Sequence, residues 1–95
     1  MAAYLITDVE ITDPALYGQF LEQMTPTVDS YGGRFIVRGG GIEAIWGDWA
    51  PKRLAILEFD STERAKSWLG SPEFTALDEI RTKSSNINMI IVEGL

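Results

Sequence analysis

The groups of this 95-residue chain best suited to chemistry are three arginines, two carboxylates and a few aromatic side chains. Arg34, Arg38 and Arg53 fall in one stretch, Tyr31–Asp60, with Trp46 and Trp49. An arginine presents a rigid fork of donors that fits a carboxylate or phosphate through two parallel hydrogen bonds. The alternation of side chains along a strand predicts that Arg34 and Arg38 share a face. There they either pair with Glu43, Glu58 or Asp8, or hold a small anion. Glu58 sits inside the apolar run Leu54–Phe59. A buried carboxylate is costly unless paired, and burial raises its pKa toward that of a general base. Glu58 and Asp8 are therefore the candidate bases, and pairing with an arginine is the plainer alternative. Trp46 and Trp49 flank Gly47-Asp48 and suit the wall of a pocket or an interface. Tyr31 belongs either to the core or to a pocket edge, and Trp68 to the core.

What is missing narrows the chemistry. With no His and no Cys, neither a Ser-His-Asp triad nor a typical zinc site can be assembled. Haem would lack its usual ligands, so neither a metal nor a cofactor is expected, and any base is Asp, Glu, Tyr or Lys. Eight basic against 14 acidic residues give a net charge of −6, which argues against nucleic acid and anionic membrane partners. Gly39-Gly40-Gly41 is followed by neither Lys-Ser/Thr nor a helix, so it reads as a bend or bulge rather than a phosphate loop. Met1–Tyr4 has no basic leader and no long apolar run follows, which predicts a cytoplasmic protein.

These residues must be positioned by a small set of elements. Tyr4–Glu10 reads as a strand covered on both faces. Asp13-Pro14 starts a helix on which Leu16, Tyr17, Phe20, Leu21, Met24, Val28 and Tyr31 follow helical spacing. Pro26 predicts a kink or break near Met24, and Gly32-Gly33 ends the helix with one glycine left-handed. Arg34–Arg38 is a strand, which Ile42–Trp46 is expected to resume after a bend at the glycines. A turn over Asp48–Lys52 then leads into a strand over Arg53–Phe59. The alternative places the hairpin turn at Gly39–Gly41. Asp60 caps a second helix with Glu63 completing the box, and Ala65, Trp68 and Leu69 form its apolar face. Gly70 stops it, and Ser71-Pro72 starts a further helix lined by Phe74, Leu77 and Ile80. Asn86–Glu93 is the last strand.

The order βαββαβ with right-handed crossovers predicts one α+β, ferredoxin-like domain over residues 1–95. Its four-stranded antiparallel sheet carries helices on one face only. A chain of this size buries only about 60–65% of its unfolded surface. No disulfide compensates, and a second copy is the simplest cover for the open face.

Tyr31-Gly32-Gly33-Arg34-Phe35-Ile36-Val37-Arg38-Gly39-Gly40 is similar to the YGGrflvRGG motif of the domain of unknown function 1330 family. The resemblance continues through Gly47–Arg53, Glu58-Phe59, Ala65, Trp68, Ser71-Pro72-Glu73-Phe74, Arg81 and Val92-Glu93-Gly94. It implies membership of the dimeric α/β-barrel group, in which two ferredoxin-like sheets face each other. That group includes cofactor-independent quinone-forming monooxygenases, haem-degrading enzymes and stress-responsive dimers. Position 46 departs from the family pattern: Trp46 stands where Glu is usual, so any role of that acid is lost or its pocket reshaped.

Three functions follow as expectations. The first is a homodimer binding a small anionic or aromatic molecule between sheet and helices. Arg38 and Arg53 would hold its charge, with Tyr31, Trp46 and Trp49 as walls. The second is a cofactor-independent monooxygenase or isomerase acting on an aromatic or polyketide-like substrate, with Glu58 or Asp8 as base. The third is a purely structural dimer.

Overall fold

In the computed structural model, which describes residues 1–95, β1 (Ala3–Ile11) is an inner strand. It pairs antiparallel with β3 (Leu54–Phe59) and with β4 (Ser85–Glu93). β2 (Arg34–Arg38) completes the sheet in the order β2-β3-β1-β4. Ala3, Leu5, Thr7 and Val9 are buried, whereas Tyr4, Ile6 and Asp8 point to the opposite face and are half-buried. All helices cover the first of these faces. The fold is thus the expected α+β, ferredoxin-like arrangement. No helix is long and apolar enough to cross a membrane.

α1 (Pro14–Ser30) begins where the sequence predicts, with the Asp13 carboxylate accepting from the Leu16 amide at 3.1 Å. Tyr17, Phe20, Met24 and Val28 form its buried stripe. Of the kink or break expected at Pro26, the break does not occur. Proline removes the hydrogen bond to the carbonyl four residues back. Neighbouring carbonyls gain other donors: the Thr25 hydroxyl donates to Leu21 at 2.7 Å and the Thr27 hydroxyl to Met24 at 2.6 Å. Met24 and Val28, on either side of the proline, are both anchored in the core. The helix closes at Gly32 with φ +76°. The Gly33 amide donates to Val28 and the Gly32 amide to Asp29, which is the double hydrogen bond of a Schellman ending.

The segment between β2 and β3 differs from both predicted versions. β2 ends at Arg38, Ile42–Trp46 is not a strand, and Gly39–Arg53 forms a long loop rather than a tight turn. β2 is an edge strand of the sheet. Gly39 turns the chain away with φ +70°, so residues beyond it have no partner to pair with. The loop is fastened at its end. The Asp8 carboxylate accepts from the Lys52 amide at 3.0 Å and from the Trp49 indole at 3.4 Å.

Asp60 is not the cap of α2 (Thr62–Leu69). Ser61 is, its hydroxyl accepting from the Arg64 amide at 3.1 Å. Phe59 still pairs with Ala3, so Asp60 is needed to leave the sheet. The next helical stretch is split into α3 (Pro72–Thr75) and α4 (Asp78–Ser84). Ser71 caps α3 as predicted. The Thr75 hydroxyl turns back to the Ser71 carbonyl at 2.9 Å, a local bond that competes with helix propagation.

A bulge in β2 overturns the expectation that Arg34 and Arg38 share a face. Arg34 and Phe35 pair with Glu58 and Leu57, but Val37 and Arg38 pair with Ile56 and Ala55, leaving Ile36 as the extra residue. One inserted residue reverses the alternation. Arg34 therefore lies with Glu58 on the open face, and Arg38 with Ala55 on the helix face.

Candidate functional site

Between the helix face of the sheet and the helices lies a cavity of about 370 Å³. Its floor is made by inward-facing residues of all four strands, among them Val9, Phe35, Leu57 and Met89. Its roof comes from Phe20 and Met24 of α1, Trp68 of α2 and Phe74 of α3. Volume and lining are those of a small-molecule site, apolar with few polar groups.

Arg53 is the outstanding polar group. Its backbone carbonyl accepts from the Val9 amide at 2.8 Å. That bond fixes Arg53 at the entry to β3, with the parity that points Ala55 and Leu57 inward. The guanidinium carbon lies 5.7 Å from the centre of the Tyr17 ring. Close approach to Gly39 is possible only because that residue has no Cβ, which would stand 2.6 Å from the guanidinium carbon. Arg53 Nε is buried and has no hydrogen-bond partner. The ion pairs of the molecule are Arg34–Glu58, Arg81–Asp78 and Lys83–Glu79, so Arg53 has no carboxylate.

Tyr17, Arg81, Asp78, Thr75 and Thr7 are the other polar residues of the lining. Burial pushes the Tyr17 hydroxyl above the usual tyrosine pKa, and the positive charge of Arg53 only partly opposes it. Tyr17 is therefore a neutral donor at ordinary pH. Arg81 is held by Asp78 at 3.3 Å. The Thr7 hydroxyl is already spent on the Ala55 carbonyl at 2.8 Å.

Of the catalytic and ligand-binding residues expected from the sequence, Arg53 is the one that lines this cavity. Arg38 lies at its edge, stacked 4.6 Å over the ring of Phe35, itself a lining residue, and donating to the Thr25 hydroxyl at 3.2 Å. Tyr31 donates to Glu73 at 2.7 Å, a bond that raises its pKa, and lies outside. Trp46 and Trp49 stand on the loop, 92% and 64% exposed. Glu58 accepts from Arg34 Nε at 2.6 Å on the open face, which also carries Asp8. The sheet itself separates both carboxylates from the cavity. No group of three or more acidic side chains converges as a metal cage would require.

Sequence reasoning overlooked Tyr17, Asp78 and Arg81 as site residues. Tyr17 was legible only as one member of an apolar helical stripe. The signal it carried was its hydroxyl, the one polar atom among the buried side chains of that stripe.

No curated protein is significantly similar to the chain. Among solved structures, a protein of unknown function from Rhodopseudomonas palustris superposes with a TM-score of 0.81 at 14% identity, covering 99% of this chain and 82% of that one. SnoaB from Streptomyces nogalater, a cofactor-independent oxygenase, gives 0.68 at 8% identity, over 99% and 93% of the two chains. A dimeric protein of unknown function and ferredoxin-like fold from Bacteroides fragilis gives 0.55 at 14% identity, over 98% and 96%. At these identities the likeness is one of fold. Family membership comes from sequence: residues 2–95 match the profile of the domain of unknown function DUF1330, and the chain belongs to that family.

Proposed function

We propose that the protein binds a small anionic or aromatic molecule in the cavity between sheet and helices. The observation that carries this reading is an apolar cavity of about 370 Å³ whose lining includes an arginine without a carboxylate partner. Arg53 is half-buried and its buried Nε lacks an acceptor; an unmet buried donor is costly, and a ligand anion would supply what the fold omits. The test is native mass spectrometry of gently purified protein, repeated after denaturation. A small molecule released on denaturation is the expected result. A protein that retains nothing, and takes up no small aromatic acid or neutral aromatic added at millimolar concentration, would sink the reading.

The acting unit in this proposal is a homodimer joined through the open sheet faces. The exposed apolar residues Val37, Ile90 and Val92 on that face support it, as does the dimeric neighbour from Bacteroides fragilis.

A catalytic reading, cofactor-independent oxygenation or isomerisation of an aromatic or polyketide-like substrate, is supported by the likeness to SnoaB. For a reaction inside the cavity the base would be Asp78, the one carboxylate of its lining, and not Glu58 or Asp8. Oxygen consumption with the released molecule, lost in Asp78→Asn, is the corresponding assay.

A further inference from the structure

The cavity has two chemically different ends. Near one end of β1, Leu5 pairs with Leu57 and Ala3 with Phe59. There Trp68 packs 5.7 Å from Phe59 and 4.2 Å from Phe74, ring centre to ring centre. Near the other end, Val9 bonds the Arg53 carbonyl and pairs with Ile87. Tyr17, in the early turns of α1, meets Arg53 at that end. Arg81 is tied there too, its carbonyl accepting from the Ser85 hydroxyl at 2.7 Å at the start of β4. From Leu5 to Val9 the strand advances about 13 Å. An aromatic end and a cationic end thus stand about one small molecule apart.

Charge limits the occupant further. The lining holds two arginines and one acidic side chain, Asp78, so its net charge is that of a single cation. Asp78 occupies Arg81, which leaves Arg53 as the free fork. A singly charged carboxylate neutralises the site. A phosphate dianion would bring a surplus negative charge into an apolar cavity beside Asp78, and unpaired charge in such surroundings is strongly disfavoured. At about 30 Å³ per water-sized group, the cavity holds roughly a dozen non-hydrogen atoms.

Resting on the binding function proposed above, we infer that the cavity selects an amphipathic monocarboxylate. Its carboxylate lies on the Arg53 guanidinium with the Tyr17 hydroxyl as a further donor. Its aromatic or aliphatic body runs toward Trp68 and Phe74. Gly39 is part of this arrangement, because its missing Cβ leaves the guanidinium room.

The test compares three probes of similar size by calorimetry at about pH 7.5: 4-phenylbutanoate, its neutral amide 4-phenylbutanamide, and 2-phenylethyl phosphate. The wild type is expected to bind the carboxylate at least about tenfold more tightly than the amide, and more tightly than the phosphate. Arg53→Met is expected to abolish that preference while leaving amide affinity within about threefold. If Arg53→Met does not fold, the wild-type ranking still decides, and Arg53→Lys, which keeps the charge but loses the fork, is expected to weaken carboxylate binding. Orientation is read in a Trp46→Phe, Trp49→Phe double variant, in which Trp68 is the remaining tryptophan. Its emission should shift when 4-phenylbutanoate binds, and an unchanged spectrum at saturation would overturn the placement.

Equal affinities for acid and amide would overturn the inference and leave the broader binding function standing. Tighter binding of the phosphate would overturn the single-charge argument. Failure to bind any of the probes at millimolar concentration would overturn the inference altogether, and the native mass measurement would then decide the broader function independently.

Discussion

Arg53 and Glu58 stand five positions apart in one segment, and strand parity sends them to opposite sides of the sheet. The carboxylate that looked most buried in the sequence is half-buried on the open face beside Arg34, whose side chain is 71% exposed. An exposed pair of this kind contributes about 0–1 kcal/mol. In the monomeric Ile90→Asp background, where the pair stays in water, Glu58→Gln should therefore shift the urea midpoint only slightly, which equilibrium unfolding checks. Tyr17 makes a sharper prediction. Burial raises its pKa from the ordinary 10.0, so the folded protein holds the phenolic proton more tightly than the unfolded chain. That contribution is complete below about pH 10 and is lost as pH rises through the raised folded value. Stability should fall less between about pH 9 and pH 11 in Tyr17→Phe than in the wild type. At Gly33 an added Cβ would lie 2.5 Å from the Phe59 ring and 2.9 Å from Val28. Both neighbours are core residues, so Gly33→Ala is expected to cost about 1–3 kcal/mol by overpacking, measured by the same unfolding experiment.

Among the elements, α1 was legible almost in full: the Asp13-Pro14 start, the apolar stripe and the glycine ending follow from local rules, and the structure has all three. Of the expected kink or break, the break does not occur, because the cost of Pro26 is offset by the burial of Met24 and Val28 around it. Pro26 itself is exposed. Pro26→Ala should restore a hydrogen bond without disturbing the core and stabilise the protein by about 1–3 kcal/mol, seen as a higher urea midpoint at unchanged slope. The β2–β3 segment was legible only in part. Ile42–Trp46 has the composition of a strand, yet strand residues need a partner, and composition cannot say whether one is available. The bulge at Ile36 was invisible for a related reason: register is a property of two strands, and RFIVR alone carries no sign of it.

At the scale of the molecule, one layer of helices on one sheet gives a slab of 36 × 35 × 16 Å. The radius of gyration, 13.4 Å, is above the roughly 12 Å expected for a compact chain of this length, as suits a flat body with a projecting loop. One broad face of the slab is bare sheet. Ile6, Ile56, Ile90 and Val92 lie on it around the Arg34–Glu58 pair. The proposed dimer would bury these apolar residues. Light scattering at micromolar concentration should give the mass of a dimer. Ile90→Asp, which places a charge at the centre of that face, should give a monomer with an unchanged circular dichroism spectrum. A wild type that scatters as a monomer at that concentration would refute the dimer.

The sequence by itself determined the order of elements, the capping at Asp13 and Ser71, the sheet with one covered face, and the family. Each of these depends on local spacing or on motifs that a linear reading contains. The tertiary structure alone decided which charged residues meet. The bulge sends Arg38 to the helix face, and Gly39 opens space for Arg53. Tyr17 is turned from a core residue into a cavity donor, and Asp8 and Glu58 remain across the sheet from it. The physical reason is that a site is made by residues distant in sequence, and their meeting depends on register and parity. A single added residue in a strand reverses that parity without leaving a trace in composition or period.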